Sequence, residues 1–341
     1  MNIILFISII FLTLVINGIL VKKKLLLNFK GDNHQKFISS RNIPLSGGLI
    51  LILTSYYYLN LMNFTYVFFI FCIGFLSDIK TINSPKLRFI IQTLFVLVVI
   101  YFSSITVTAT KIVFLDQLLT NNIFKIFFTL FCILIVINGF NFIDGVNTSL
   151  IGYCLIISSS LYYLDLNGVV VSQIINFYNL IPVLLALFIL NFFNKLYLGD
   201  GGSYFLGLLF ALCLINTYQI NNNISPYFVV CLLWYPAYEN LFSILRKRNF
   251  SKSPLDPDTN HLHQIIFFHL KKAFNINSVY LNTLTGTIIN FYNLICIVIA
   301  TQFYNHTITQ VLIIIFNIII YTFLYKKLLS IKNKDLSPDK E

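Results

Sequence analysis

Apolar runs of membrane-crossing length recur along the whole 341-residue chain, separated by short polar breaks near 21–46, 77–88, 108–121, 139–147, 194–202 and 246–283. The runs lie near 2–20, 47–62, 64–76, 89–107, 122–138, 148–165, 173–193, 203–219, 227–245, 284–304 and 309–326. A hydrocarbon core of roughly 30 Å takes about 20 apolar residues as helix, and backbone in lipid must close its hydrogen bonds within its own segment. The pattern predicts an all-α, polytopic membrane protein of about eleven transmembrane helices. One polytopic domain is expected over 1–330, with a short polar tail over 331–341.

Composition agrees with lipid as the solvent. Hydrophobic residues make up 57% and charged residues 10%, against about 25% charged in soluble domains. The first run lacks basic residues before it and is followed by Lys22, Lys23 and Lys24, the wrong polarity for a cleaved signal peptide; a retained first span is expected. The six cysteines lie singly in apolar runs with no CxxC pair, so they are expected to be packing residues. A net charge of +11 comes without an aromatic-rich basic module, which excludes a nucleic-acid partner and leaves the bilayer as the one implied.

The charge has a direction. With the N-terminus outside, 21 of the 23 Lys and Arg residues fall on inner segments, and only Lys111 and Lys125 fall outside. The positive-inside rule then makes the C-terminus cytoplasmic. The same topology puts Asp78, Asp144, Asp200, Glu239, Asp256 and Asp258 on the inner face and only Asp116 and Asp165 outside. Ionised groups abutting apolar helices are expensive unless they serve a function, so a site at the cytoplasmic interface is expected.

Four segments carry candidate chemistry. In Asn138-Gly-Phe-Asn141-Phe-Ile-Asp144-Gly145-Val-Asn147, the polar residues 138, 141 and 144 are three apart and share a helix face. That stripe offers hard oxygen ligands suited to Mg²⁺, though a helix-capping cluster is the plainer alternative. In Leu196-Tyr-Leu-Gly199-Asp200-Gly-Gly202-Ser203, a lone carboxylate stands in a glycine turn before an apolar helix, either as an N-cap or beside an anion-binding corner. Ser77-Asp78, followed by Lys86 and Arg88, brings an acid and two bases to one border. A fourth segment runs from Glu239 through Arg246, Lys247 and Arg248 to Pro254, Asp256, Asp258 and His261-Leu-His263-Gln264, whose histidine pair is better suited to polyphosphate than to zinc, since a third soft ligand is missing.

These segments, in this order, resemble the polyprenyl-phosphate N-acetylhexosamine-1-phosphate transferases, which include the bacterial enzymes initiating O-antigen and teichoic-acid linkage-unit synthesis and the phospho-MurNAc-pentapeptide translocase. The family motif NAxNxxDGxDG stands here as NGFNFIDGVNT, and FxGDxGSxxLG as LYLGDGGSYFLG. The family's acidic pair is Ser77-Asp78, its second DG aspartate is Asn147, and its HxHH ends in Gln264. The resemblance implies a bacterial inner-membrane enzyme that takes a UDP-N-acetylhexosamine and a polyprenyl phosphate, with Mg²⁺ (or Mn²⁺) as cofactor. It makes Asp78, Asp144 and Lys86 the candidate catalytic residues and Asp200 and Asn141 the candidate metal ligands. Asn138, Asn147, Arg88, His261 and His263 are the candidate substrate-binding residues. Ser77 is expected to be tolerant of change and Asp78 essential. A homodimer is compatible with the pattern, and a membrane transporter is the competing class.

The charge bias makes a direct prediction. In a background cleared of native cysteines, a cysteine at Asn223 reacts with an impermeant thiol reagent on intact cells, and one at Lys271 does not. Labelling of Lys271→Cys alone contradicts the orientation.

Overall fold

In the computed structural model, which describes residues 2–27, 43–221, 223–249 and 260–336, nearly every apolar run closes its backbone bonds as helix. The helices are α1 (Ile3–Lys23), α2 (Gly47–Thr54), α3 (Leu61–Asp78), α4 (Pro85–Ser103), α5 (Val113–Leu119), α6 (Asn122–Ile143) and α7 (Ser149–Leu166). They continue with α8 (Phe177–Phe192), α9 (Gly199–Ile220), α10 (Pro226–Leu232), α11 (Trp234–Asn249), α12 (Leu262–Ala273), α13 (Ser278–Gln302) and α14 (Thr307–Leu336). Small polar side chains set the starts: Asn2, Asn60, Ser84, Asn121, Asn176, Ser225 and Asn277 each accept a bond from a first-turn N–H. These are donors that the helix cannot satisfy itself. Lys30, Lys36, Arg41, Lys252, Asp256, Asp258 and the end of the expected tail lie outside the described residues.

Among the described residues, eight helices are long and apolar enough to cross a membrane, and α10 and α11 pass the same test only as a pair, bent by 73° at their junction. The expected straight span over 227–245 is thus broken. Pro236 has no N–H to bond the Leu232 carbonyl, and its ring crowds that turn. The runs at 47–62 and 173–193 form shorter apolar helices, Gly47–Tyr57 and Phe177–Phe192. The first is too short to cross as helix alone, but it still joins opposite ends of the bundle. Gly48 N–H bonds the Leu198 carbonyl beside the start of α9, while the Tyr58 carbonyl accepts from Asn176 N–H at the start of α8. Two expectations need correction downstream. The polar stretch after α11 contains α12, whose Gln264 accepts a bond from His261 N–H. The last helix runs on to Leu336, through the first half of the expected tail.

Helix α9 is the centre: 78% of its apolar window is buried, against 17% for α14 and 22% for α4. It packs chiefly on α3 and α6, and on α2 at its N-terminal end. Glycine makes the approach close enough. A Cβ on Gly74 of α3 would lie 2.4 Å from the Asp200 carbonyl oxygen, and one on Gly48 of α2 would lie 2.6 Å from Gly202 N. The basic ends of α1 and α11 and the start of α4 lie at this same end of the bundle. Asn17 of α1 donates to the Lys195 carbonyl and Arg88 of α4 reaches Asp200.

The close approach can be tested with a matched pair. Gly→Ala in a helix ordinarily stabilises by up to about 1 kcal/mol. A methyl group at Gly18 meets nothing within 4 Å, so Gly18→Ala leaves the melting midpoint in detergent unchanged or raises it. Gly74→Ala forces α3 off α9 and destabilises by about 1–3 kcal/mol, as overpacking does. Equal midpoints for the two variants would contradict the packing.

Candidate active site

Asp200 sits in the first turn of α9, after Gly199 with φ +78. A side chain at 199 would be strained by that backbone and would also press on the Asp78 carboxylate at 2.7 Å. The Asp200 carboxylate is the node of the site. Its Oδ2 accepts from Arg88 Nη1 at 2.7 Å and from Ser77 Oγ at 2.6 Å, and its Oδ1 accepts from Asn141 Nδ2 at 2.8 Å. Asn141 also donates to Ser203 Oγ at 3.0 Å. Four helices therefore meet on one carboxylate: α3, α4, α6 and α9.

Beneath it, Asp78 ends α3 against the start of α9. Its Oδ1 accepts from Asp200 N–H at 2.8 Å and its Oδ2 from Gly201 N–H at 3.0 Å. These are orphan donors of a helix N-terminus, where the dipole favours a negative charge. Two adjacent carboxylates are tolerated because each is held by a different kind of donor: one by backbone amides, the other by a guanidinium. Asp144 follows α6 as its C-cap. Burial, with the charges of Asp200 and Asp78, pushes its carboxyl well above the ordinary range. Among the described residues it has no hydrogen-bond or ion-pair partner.

The histidines arrive from a distant part of the chain. His261 is the N-cap of α12, and its ring lies 5.2 Å from that of Phe142 and stacks on His263 at 5.7 Å. His263 Nε2 stands so close to Gly145 that a Cβ there would be 2.2 Å away. Gly145 lies in the turn that ends α6, without positive φ, and its lack of a side chain makes room for His263. Burial and the neighbouring His261 hold His263 down to about 3, so its ring is neutral at working pH.

The remaining expected residues are placed differently. Asn138 bonds back to the Leu134 carbonyl at 2.8 Å and reaches Gln92 at 3.5 Å, away from the carboxylates. Asn147 is buried and donates to Asn194 and Thr283, so it knits α7 to α8 and α13. Thr148, where the family motif ends in glycine, has φ +68. Its backbone N–H donates to Asn191 Oδ1, and its carbonyl accepts from Asn290 at 2.7 Å. Lys86 is exposed in the first turn of α4, and the basic group on Asp200 is Arg88. Ser77 is not a bystander, because its hydroxyl accepts from Arg88 at 2.6 Å as it donates to Asp200. Glu239 and Ser203 stood within the candidate segments but were given no separate role at the site. The signals were a lone acid inside an apolar run and a hydroxyl one turn after Asp200.

The donor set fits a hard divalent cation: the carboxylates of Asp200 and Asp144 and the amide of Asn141 are oxygen ligands. No three His, Cys, Asp or Glu side chains gather into a metal site among the described residues. A cation held here takes the rest of its shell from water and phosphate, the usual habit of Mg²⁺.

The fold and site together define a polytopic membrane protein with an oxygen-rich, arginine-neutralised centre at one end of its bundle. The glycosyl transferase family 4 model matches residues 60–218 of this chain. It is 27% identical over 211 residues to the undecaprenyl-phosphate alpha-N-acetylglucosaminyl 1-phosphate transferase of Escherichia coli O157:H7, covering 59% of this chain and 57% of that protein. It is 24% identical over 254 residues to the protein of the same name from Salmonella typhi, covering 68% of each. The chain thus spans under two thirds of the Escherichia coli relative.

The clamp on α9 predicts an asymmetry. Asp78→Asn places an NH₂ against one of two backbone donors and removes the charge at the helix N-terminus. It lowers stability by about 1–2 kcal/mol and depresses any turnover at this site at every pH, without changing the profile's shape. Ser77→Ala loses about tenfold, as one of two supports of Arg88 disappears. An Asp78→Asn rate that recovers with rising pH would point to a base instead of a clamp.

Proposed function

We propose that this chain transfers an N-acetylhexosamine 1-phosphate from a UDP-sugar to polyprenyl phosphate, releasing UMP, and so begins a surface glycan on its lipid carrier. The carrying observation is the convergence of Asp78, Asp200, Asn141, Arg88, Asp144 and the His261–His263 pair at one end of the bundle. The positive-inside bias of the sequence supports reading that end as the cytoplasmic face, where a nucleotide sugar is available. The relatives' names give the acceptor as undecaprenyl phosphate and the sugar as N-acetylglucosamine, and the same substrates are the first to try here.

In this reaction a lipid-phosphate oxygen forms a bond to the sugar-proximal phosphorus as the bond from that phosphorus to the UMP oxygen breaks. Such transfers depend mainly on positioning and charge neutralisation. Asp200 and Asn141, with Asp144 beside them, would hold Mg²⁺, which supplies neutralisation of the diphosphate oxygens. Arg88 holds the Asp200 charge before substrate arrives and offers its remaining N–H groups to phosphate. Asp78 keeps the start of α9 in place, so the carboxylate above it does not move. His261 and His263 line the other side and face the donor's phosphates. The lipid phosphate, with a second pKa near 6, is already largely ionised at neutral pH, so the chain need supply no strong base. A transport path is not favoured, because these groups sit at helix ends and not at mid-span.

Purified protein given UDP-N-acetylglucosamine, undecaprenyl phosphate and Mg²⁺ is expected to release UMP. Asp200→Ala and Asn141→Ala abolish release while both variants still insert and fold. Failure of wild type to release UMP with any UDP-N-acetylhexosamine, or release independent of the lipid acceptor, contradicts the proposal.

A further inference from the structure

Glu239 is 1% exposed on α11, among apolar side chains, and none of the steps above uses it. Three donors converge on its two oxygens. Oε1 accepts from His261 Nδ1 at 2.9 Å and from Leu262 N–H at 3.4 Å, and Oε2 accepts from Tyr321 O–H at 2.6 Å. This is the surrounding of an ionised carboxylate. Removing either of its side-chain donors leaves a buried charge short of a partner, which is strongly unfavourable. The group also satisfies an orphan N–H at the start of α12, while Gln264 satisfies the N–H of His261 from the other side at 3.1 Å.

The consequence falls on His261. A carboxylate accepts only, so Nδ1 carries the proton in either charge state of the ring. The other nitrogen, Nε2, is bonded to no described residue. The ring lies against Phe142 at 5.2 Å, tilted by 43°, and stacks parallel to His263. Phe142 directly follows Asn141, so the ring borders the oxygen-rich centre.

We propose that Glu239 is a positioning residue: anchored by Tyr321, it sets the tautomer and orientation of His261 and so presents Nε2 to the donor's phosphates. This rests on the transferase reading for the identity of the ligand, but not for the state of the ring. A merely structural Glu239 would support α11, α12 and α14 without governing which ring nitrogen holds the proton.

The experiment uses full-length protein with ¹⁵N-labelled histidine in lipid nanodiscs, the His261 signals being assigned by their loss in His261→Gln. Wild type is expected to show Nδ1 protonated. In Glu239→Gln, which keeps volume but can either accept from or donate to the ring, the tautomers mix; in Glu239→Ala the preference for Nδ1–H is lost. UMP release falls by about 10–100-fold in Glu239→Ala, the usual range for losing the partner that orients a functional histidine, and Glu239→Asp restores part of it. Tyr321→Phe keeps the tautomer and loses less than Glu239→Ala. An unprotonated Nδ1 in wild type overturns the proposal, as does a wild-type ring spectrum in Glu239→Ala, even with a lowered melting midpoint. If wild type releases no UMP while its ring shows Nδ1–H governed by Glu239, the transferase reading fails and the positioning inference stands.

Discussion

Two carboxylates stand next to each other at the start of a buried helix, and the rest of the site depends on how that repulsion is offset. Asp78 spends its charge on the backbone amides of Asp200 and Gly201, while Asp200 is held by Arg88, Ser77 and Asn141. The two solutions are compatible only if α3 comes within backbone contact of α9, which is why Gly74 faces the Asp200 carbonyl. Glycines elsewhere follow from the same demand for closeness. Gly139 faces the Pro236 carbonyl, where a Cβ would lie 2.4 Å away, so the alanine of the family motif does not fit this pairing of α6 with α11.

Around that node the polar groups fall into two layers. One is oxygen-rich, made from Asp200, Asn141, Asp144 and Ser203; the other is imidazole and carboxylate, made from His261, His263 and Glu239. The layers come from opposite parts of the chain and meet at Phe142 and Gly145, where α12 lies against the end of α6. Among the described residues, most members are hydrogen-bonded or charge-paired, while the Asp144 carboxylate and His263 Nδ1 have no hydrogen-bond partner. In lipid such economy is required, because a buried polar group without a partner costs several kcal/mol.

Much of this was legible from residue order. Apolar runs located the helices because lipid permits little else, and Asn60, Ser84 and Asn176 marked their starts. The motifs around Asn141 and Asp200 pointed to one site because hard oxygens flanked by glycine have few other uses in a membrane. What could not be read was direction. Three-residue spacing put Asn138 and Asn141 on one face, yet only Asn141 reaches Asp200, since Asn138 lies a turn deeper and bonds toward α4. Asn147 and Thr148 belong to the same motif but turn inward to Asn194, Asn191 and α13, so their departures from the family pattern alter packing. Ser77 looked dispensable because a hydroxyl carries no charge, whereas its bonds to Arg88 and Asp200 depend on geometry that residue order does not contain. Lys86 and Arg88, two residues apart on α4, could be told apart only by which one the helix turns toward α9.

The central claim is that a nucleotide-sugar diphosphate lies between the Asp200–Asn141 layer and the His261–His263 layer. An electron cryo-microscopy map of the protein in nanodiscs with UDP-N-acetylglucosamine and Mg²⁺ tests it most directly. The account predicts diphosphate density bridging those two layers, with Asp78 still bonded to the amides of Asp200 and Gly201. Nucleotide density elsewhere, with Asp200 still paired to Arg88 and nothing between the layers, would contradict it.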